Sequence, residues 1–189
     1  IIPTDGKDIS WFPRAEGPAA IISGSCSKTT NAQVASFLAK GGAAFRIEPA
    51  MLEAREDAVQ AALDCAEGRM GDAPILFYST ADPAAVKQAQ SARGTIETAD
   101  LVEAILSGIA RGLAARGLRR LIVAGGETSG ACVNALNIGQ LVIGPQICPG
   151  VPWTYAPPSG LLANGMHLAL KSGNFGDADF FTAAFEVLA

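Results

Sequence analysis

Three short segments of this sequence combine glycine with hydroxyl-bearing or basic residues. That composition lets an anion approach the peptide backbone closely. The first segment is Ser23-Gly24-Ser25-Cys26-Ser27-Lys28-Thr29-Thr30. The second is Gly125-Gly126-Glu127-Thr128-Ser129-Gly130, and the third is Lys171-Ser172-Gly173-Asn174-Phe175-Gly176. Small residues leave the N–H groups of a helix start open to a phosphate, and the helix dipole favours a negative charge there by about 0.3–1 kcal/mol. The hydroxyls of Ser25, Ser27, Thr128 and Ser129 can add hydrogen bonds. Gly173 and Gly176 can supply positive φ or let a planar ring lie against the backbone. Read together, the three segments suggest one shared anion or nucleotide pocket. The plainer alternative is that they are turns and helix caps.

The remaining chemistry-bearing residues point less far. Glu127 suits a metal or a ribose, and equally an ordinary carboxylate at a helix start. Lys28 and Lys171 can reach a phosphate, but lone lysines are read as solvated. His167, the sole histidine, is read as structural or at the surface, because no partner motif accompanies it. Trp11, Trp153 and Tyr155 are read as packing residues rather than a base-stacking platform. Lys28-Thr29 resembles the end of a P-loop, but that motif needs glycine at 22 and 27, where Ile22 and Ser27 stand. No G-x-G-x-x-G is present, so a dinucleotide fingerprint is unsupported. Cys26, Cys65, Cys132 and Cys148 form no CxxC pair, so no zinc site or other metal site is expected. They are read as free thiols of a reducing, cytoplasmic setting.

These segments need elements to position them. Ala19–Ser23 is a short apolar run stopped by Gly24, as in a buried strand. Thr30–Lys40 carries Val34, Phe37 and Leu38 at helical spacing and ends at Gly41-Gly42. Ala43–Ile47 reads as a strand, Pro49–Gly68 as one helix, Pro74–Ser79 as a strand, and Asp82-Pro83 as the start of another helix. Thr98–Gly117 has the clearest helical stripe, with Leu101, Ile105, Ile109 and Leu113 repeating every fourth residue. Leu121–Ala124 is a further strand. Each strand is apolar throughout rather than alternating, the signature of a parallel sheet covered on both faces. Beyond Gly139 the prolines forbid a helix. Gln140–Ile147, Val151–Tyr155 and Met166–Leu170 read as extra strands, some antiparallel, before a last helix over Asp179–Leu188. The fold class is therefore α/β, three-layered, with a mostly parallel sheet.

Composition narrows the classes. At 189 residues the chain matches one domain or slightly more, at ~150 residues per domain. With 49% hydrophobic and 17% charged residues it can bury a core. No run approaches the ~18 apolar residues of a membrane span. A net charge of −4 with thinly spread basic residues argues against nucleic acid. Residues 1–18, rich in proline and glycine, read as a linker or arm, with 19–189 forming the binding domain. A chain opening on Ile1 without a signal-peptide pattern is expected to be a fragment of something longer.

Gly24-Ser25-Cys26-Ser27, Val123-Ala124-Gly125-Gly126-Glu127-Thr128-Ser129-Gly130 and Leu168-Ala169-Leu170-Lys171-Ser172-Gly173-Asn174-Phe175-Gly176 occur in this order, with Ile143-Gly144-Pro145-Gln146-Ile147 and Pro149-Gly150-Val151-Pro152 between the last two. From about Ala19 onward the chain resembles the C-terminal domain of the four-carbon acid sugar kinases of 3-oxo-tetronate kinase type. Ala163-Asn164-Gly165-Met166 departs from the usual lead-in to the third motif. The resemblance implies binding of ATP or ADP with Mg²⁺, through Ser25 or Ser27, the Gly125–Gly130 segment and Gly173. It also implies that the sugar acid and the catalytic base belong to an N-terminal domain outside this sequence, so that no catalytic residue is assigned here and the chain alone is inactive. Partners are then a nucleotide and, through that other domain, a four-carbon sugar acid. A homo-oligomer is open, and neither nucleic acid nor membrane is expected. The alternative from a different class is a non-catalytic sensor that binds a sugar phosphate or other small anion.

Overall fold

A computed structural model of the chain describes residues 12–71, 73–79 and 95–188. In chain order the elements are β1 (Ala19–Ser23), α1 (Lys28–Ala39), β2 (Ala44–Arg46), a 3-10 turn (Pro49–Glu53), α2 (Arg55–Ala66), β3 (Ile75–Tyr78) and α3 (Thr95–Ala115). There follow β4 (Arg120–Ala124), α4 (Gly126–Ala135), β5 (Val142–Cys148), β6 (Val151–Ala156), β7 (Met166–Lys171) and α5 (Phe180–Glu186). The seven strands form one sheet in the order β2-β3-β1-β4-β7-β6-β5. β2, β3, β1, β4 and β7 run parallel. β6 is antiparallel to β7, and β5 to β6.

The central strands are apolar on both faces because both are covered. Ile22, Phe77, Leu121, Val123 and Leu168 face a core filled by Ala62 and Leu63 of α2, Ile105, Leu106 and Ile109 of α3, and Cys132 of α4. Ile21, Leu76, Ile122 and Ala169 face the opposite core, closed by Val34 and Phe37 of α1 and by Phe180, Phe181 and Ala184 of α5. Full burial of such a side chain is worth about 1.5–3 kcal/mol, so uninterrupted apolar runs are required on each central strand. No helix among the described residues is long and apolar enough to cross a membrane.

The sheet, its antiparallel C-terminal part and the two covering layers match the sequence reading. Local details differ. The expected helix over Pro49–Gly68 is broken at Ala54, whose φ of −113° and ψ of 66° end the proline-initiated 3-10 turn before α2 begins. Gly126–Gly130, read as loop, is the opening of α4. Gly125 makes this possible as N-cap with φ of +130°, a backbone region that side chains rarely adopt. The expected helix from Asp82-Pro83, and Trp11, lie outside the described residues. From Phe12 on, the N-terminal arm is tied to the sheet. The ring of Phe12 is buried beside His167 and Tyr155, and Gly17 O accepts from Arg120 Nε at 3.0 Å and Nη2 at 2.7 Å.

Candidate functional site

The three glycine-bearing segments leave the sheet side by side. β1, β4 and β7 are neighbours, parallel and in register, with Ser23 opposite Ala124 and Ala124 opposite Lys171. Their C-terminal ends therefore lie at one edge of the sheet, where ligands of such folds bind. The backbone ties them together beyond the strands. Gly24 N–H and Ser25 N–H donate to Ala124 O at 3.0 and 3.2 Å, and Gly125 N–H donates to Lys171 O at 2.9 Å.

Contact is so close that at several points any side chain in place of glycine would have to displace a neighbour. A Cβ on Gly173 would collide with Ser25 Oγ and stand 2.9 Å from Ser27 Oγ. One on Gly24 would collide with Thr128 Oγ1, and one on Gly125 would stand 2.8 Å from the same atom. Ser25, Ser27, Gly125, Thr128 and Gly173, all singled out in the sequence, thus meet in one place. Gly126, Glu127 and Gly130 are exposed on the first turns of α4, and Ser129 Oγ is buried there without a protein partner. A Cβ on Gly126 or Gly130 would meet nothing within 4 Å.

The serines have different tasks. Ser27 is the N-cap of α1, accepting from Thr30 N–H at 3.1 Å. Its own proton goes to Gly173 O at 2.6 Å. That hydroxyl is committed to joining the first and third segments. Ser25 Oγ accepts from Ser27 N–H at 3.3 Å and keeps its proton to donate.

Three residues that the sequence reading named only in passing or not at all complete the arrangement. Thr30, fully buried, donates from Oγ1 to Gly173 O at 2.9 Å. Gln33, also fully buried, donates from Nε2 to Phe175 O at 3.0 Å and Asp177 O at 2.8 Å. Ser27, Thr30 and Gln33 recur every third residue, which puts them on one side of α1; that spacing was the signal available. The third is Lys171. Instead of being solvated it is 1% exposed, because β7 carries it inward between the helices. Its Nζ donates to Thr30 Oγ1 at 3.3 Å and to Gly173 O at 3.4 Å. Burial pushes its pKa down to about 8, against a smaller upward pull from Cys148.

Elsewhere the plain readings fit the structure. His167 is fully buried at the start of β7, with Nε2 2.8 Å from Pro13 O, and burial holds its pKa below the usual 6.5. Trp153 is buried and donates from Nε1 to Ala184 O at 2.8 Å. Lys28 is exposed. Glu127 faces α3, where Glu103 has its pKa raised by burial first, then by Glu127 and Asp100. Among the described residues no group of three His, Cys, Asp or Glu side chains could hold a metal ion. A divalent cation here would be held chiefly by phosphate oxygens and water, as Mg²⁺ usually is.

Residues 20–181 match the family described as nucleotide-binding C-terminal domain. The chain belongs to that family. It is 46% identical over 188 residues to a 3-oxo-tetronate kinase of Cupriavidus necator, covering all of this chain and 42% of the relative. A 3-oxo-tetronate kinase of Burkholderia multivorans is 47% identical over 177 residues, covering 94% of this chain and 40% of the relative. The chain thus spans about two fifths of the length of the curated relatives it matches. A solved structure from Salmonella typhimurium LT2, whose provisional description is a tRNA synthase, superposes with a TM-score of 0.81 at 39% identity, covering 89% of this chain and 40% of that one. The resemblance drawn from the three motifs and these relatives agree.

Proposed function

We propose that this chain is the ATP-binding part of a kinase that phosphorylates a four-carbon sugar acid of the 3-oxo-tetronate, threonate or erythronate class. The observation that carries the reading is the meeting of Gly24–Ser27, Gly125–Thr128 and Gly173 at the C-terminal ends of three adjacent parallel strands. Phosphoryl transfer depends mainly on positioning and on stabilising charge. A cradle of backbone N–H groups, with Ser25 Oγ as a further donor, supplies both to a polyphosphate. Ser25, Ser27, Gly125, Gly126, Glu127, Thr128, Ser129, Gly130 and Gly173 are the residues assigned to nucleotide contact or to its immediate support. Mg²⁺ travels with the nucleotide. The sugar acid and the catalytic base reside in the portion of the protein that this sequence does not include, so the chain alone does not turn over. A tRNA partner finds little support in a chain of net charge −4.

Gly126→Val tests the site at an exposed position where an added Cβ would meet no atom within 4 Å. Calorimetric titration with MgADP should show binding by the parent chain and at least about tenfold weaker binding by the variant, a loss of about 1.4 kcal/mol, with both melting alike. Absence of heat and of thermal shift at millimolar nucleotide would defeat the reading. Stabilisation by sugar phosphates and none by nucleotides would replace it with a non-catalytic sensor.

A further inference from the structure

Lys171 is a buried cation, and no acidic side chain among the described residues forms an ion pair with it. Its ammonium instead shares the Gly173 carbonyl with two hydroxyls. Gly173 O accepts from Ser27 Oγ at 2.6 Å, Thr30 Oγ1 at 2.9 Å and Lys171 Nζ at 3.4 Å. A carbonyl oxygen has two lone pairs, so three donors hold its direction firmly. Across a trans peptide the C=O of one residue and the N–H of the next point opposite ways, and no cis bond occurs among the described residues. The Asn174 N–H is therefore turned away from Lys171 and Thr30. Asn174 is exposed, and its N–H finds no acceptor among the described residues. Drawing the carbonyl onto a cation also polarises the peptide and strengthens the N–H as a donor.

We propose that Lys171 is a positioning residue for the polyphosphate of a bound nucleotide: it holds the Gly173 carbonyl inward so that the Gly173–Asn174 peptide offers its N–H to phosphate, and it provides the buried positive charge that the anion meets. This rests on the nucleotide reading above. At 1% exposure the ammonium does not itself reach the ligand; it acts through the peptide and through its field. A buried ammonium lacking a counter-ion is costly to the fold. Phosphate oxygens supply that counter-charge when the nucleotide arrives.

The consequence is proton uptake. With its pKa near 8, Lys171 is about half charged at that pH, and a polyphosphate draws it to the ammonium form. Cys148 on β5 is the titratable group that acts on it, and that thiol is itself pushed up by burial, with Lys171 and the Gly176 backbone pulling it down and Asp177 raising it. Thr30 from α1 and the Phe180 ring from α5, 5.7 Å from Nζ, face it without titrating.

The test is calorimetric titration of this chain with MgADP at pH 8 in two buffers of different ionisation enthalpy. The nucleotide's own phosphates, with a second pKa of about 6, are ionised there. The parent chain should take up about half a proton per nucleotide bound. Lys171→Met should bind at least about tenfold more weakly and take up none. Lys171→Arg should restore binding to within about threefold of the parent without uptake, because a guanidinium does not titrate. Cys26→Ser removes the exposed thiol of the first segment and should leave the uptake in place. Unchanged affinity and uptake in Lys171→Met overturn the proposal, as does uptake that vanishes in Cys26→Ser and persists in the Lys171 variants. Should Lys171→Met fail to fold, the parent and Lys171→Arg decide it by the same uptake measurement. A parent chain that binds no ADP defeats the nucleotide reading and this proposal together, whereas ADP binding indifferent to Lys171 defeats this proposal alone.

Discussion

Replacing Lys171 by methionine should stabilise the ligand-free chain near neutral pH, and the gain should fade as the solution becomes alkaline. The side chain is 1% exposed, and its pKa falls from the usual 10.5 to about 8. At about 1.36 kcal/mol per pH unit, holding the charged form in the fold costs about 3 kcal/mol. Methionine is close in volume and carries no charge. The hydrogen bonds lost leave no orphan on Gly173 O, which keeps Ser27 Oγ and Thr30 Oγ1 as donors. Net stabilisation of about 1–3 kcal/mol is therefore expected at pH 7, as when buried ionic groups give way to apolar ones. The sign with pH follows from proton counts. Between pH 8 and 10.5 the unfolded chain keeps a proton on Lys171 that the folded chain has released, so the parent gains stability as pH rises through that window. The variant lacks this gain. Urea unfolding of both chains from pH 7 to 10, read as the difference between them, isolates this one group from the thiols and tyrosines. A variant less stable than the parent at pH 7, or a difference independent of pH, would refute the reasoning.

Other expectations follow from single contacts. Gly173→Ala drives a methyl group into Ser25 Oγ; it should lower stability by about 1–3 kcal/mol and weaken ADP at least tenfold, as read by chemical denaturation and titration. His167 has its pKa held below 6.5, by burial first and then by Arg119 and Arg120, against the bond to Pro13. The unfolded chain therefore protonates first on acidification, and stability should fall below about pH 6.5, a slope that His167→Gln should flatten. Trp153→Phe removes the Nε1 donation to Ala184 O at 2.8 Å and leaves that carbonyl only the Val187 N–H at 3.3 Å; it should cost about 1 kcal/mol, seen as a melting point lower by about 3 °C. The chain by itself should give no phosphorylation of a tetronate from ATP in a coupled ADP-release assay, and measurable turnover would overturn the placing of the base outside it.

Much of the fold was legible because the central strands are buried on both faces. Ala19–Ser23 appears in the structure with the bounds read from its apolar run, and Leu121–Ala124 gains only Arg120. A covered parallel sheet leaves that mark, since no side of such a strand can be polar. The break at Ala54 was not legible, because nothing in an alanine announces an irregular backbone; Leu52 before it and Ala58 after it are both buried. Three glycine-bearing segments could be found by composition, and their convergence follows once β1, β4 and β7 are neighbours. What composition could not supply is side-chain depth. Lysine is usually exposed, so Lys171 looked like a surface residue, although it closes the strand whose buried run Met166–Ala169 ends two residues before it. Thr30 and Gln33 stand in the same helix as Thr29, Asn31 and Ser36, and only their three-residue spacing from Ser27 distinguishes the polar positions of α1 that turn inward.

A second hollow tests where function should be placed. A cleft of about 350 Å³ lies at the opposite end of the sheet, lined by Phe37, Gly42, Arg69, Pro74, Ile75 and Phe185 among others. Its volume alone would favour it. Chemistry does not. Its lining carries one charged side chain, Arg69, and the collision of a Cβ on Gly42 with the Phe37 ring is ordinary close packing of a helix end. At the strand C-termini several features costly to a fold occur together: a buried ammonium without an acid, an N-cap glycine at φ of +130°, and glycines packed onto hydroxyls. The buried ammonium costs desolvation and each glycine costs backbone entropy on folding, and none is needed to build a three-layer sheet. Such a concentration of unfavourable choices at the sheet edge where this fold class binds its ligands is best explained by an anion that repays them on binding. The same logic predicts that nucleotide should raise the melting point of the parent chain more than that of Lys171→Met, even though the variant starts out the more stable of the two.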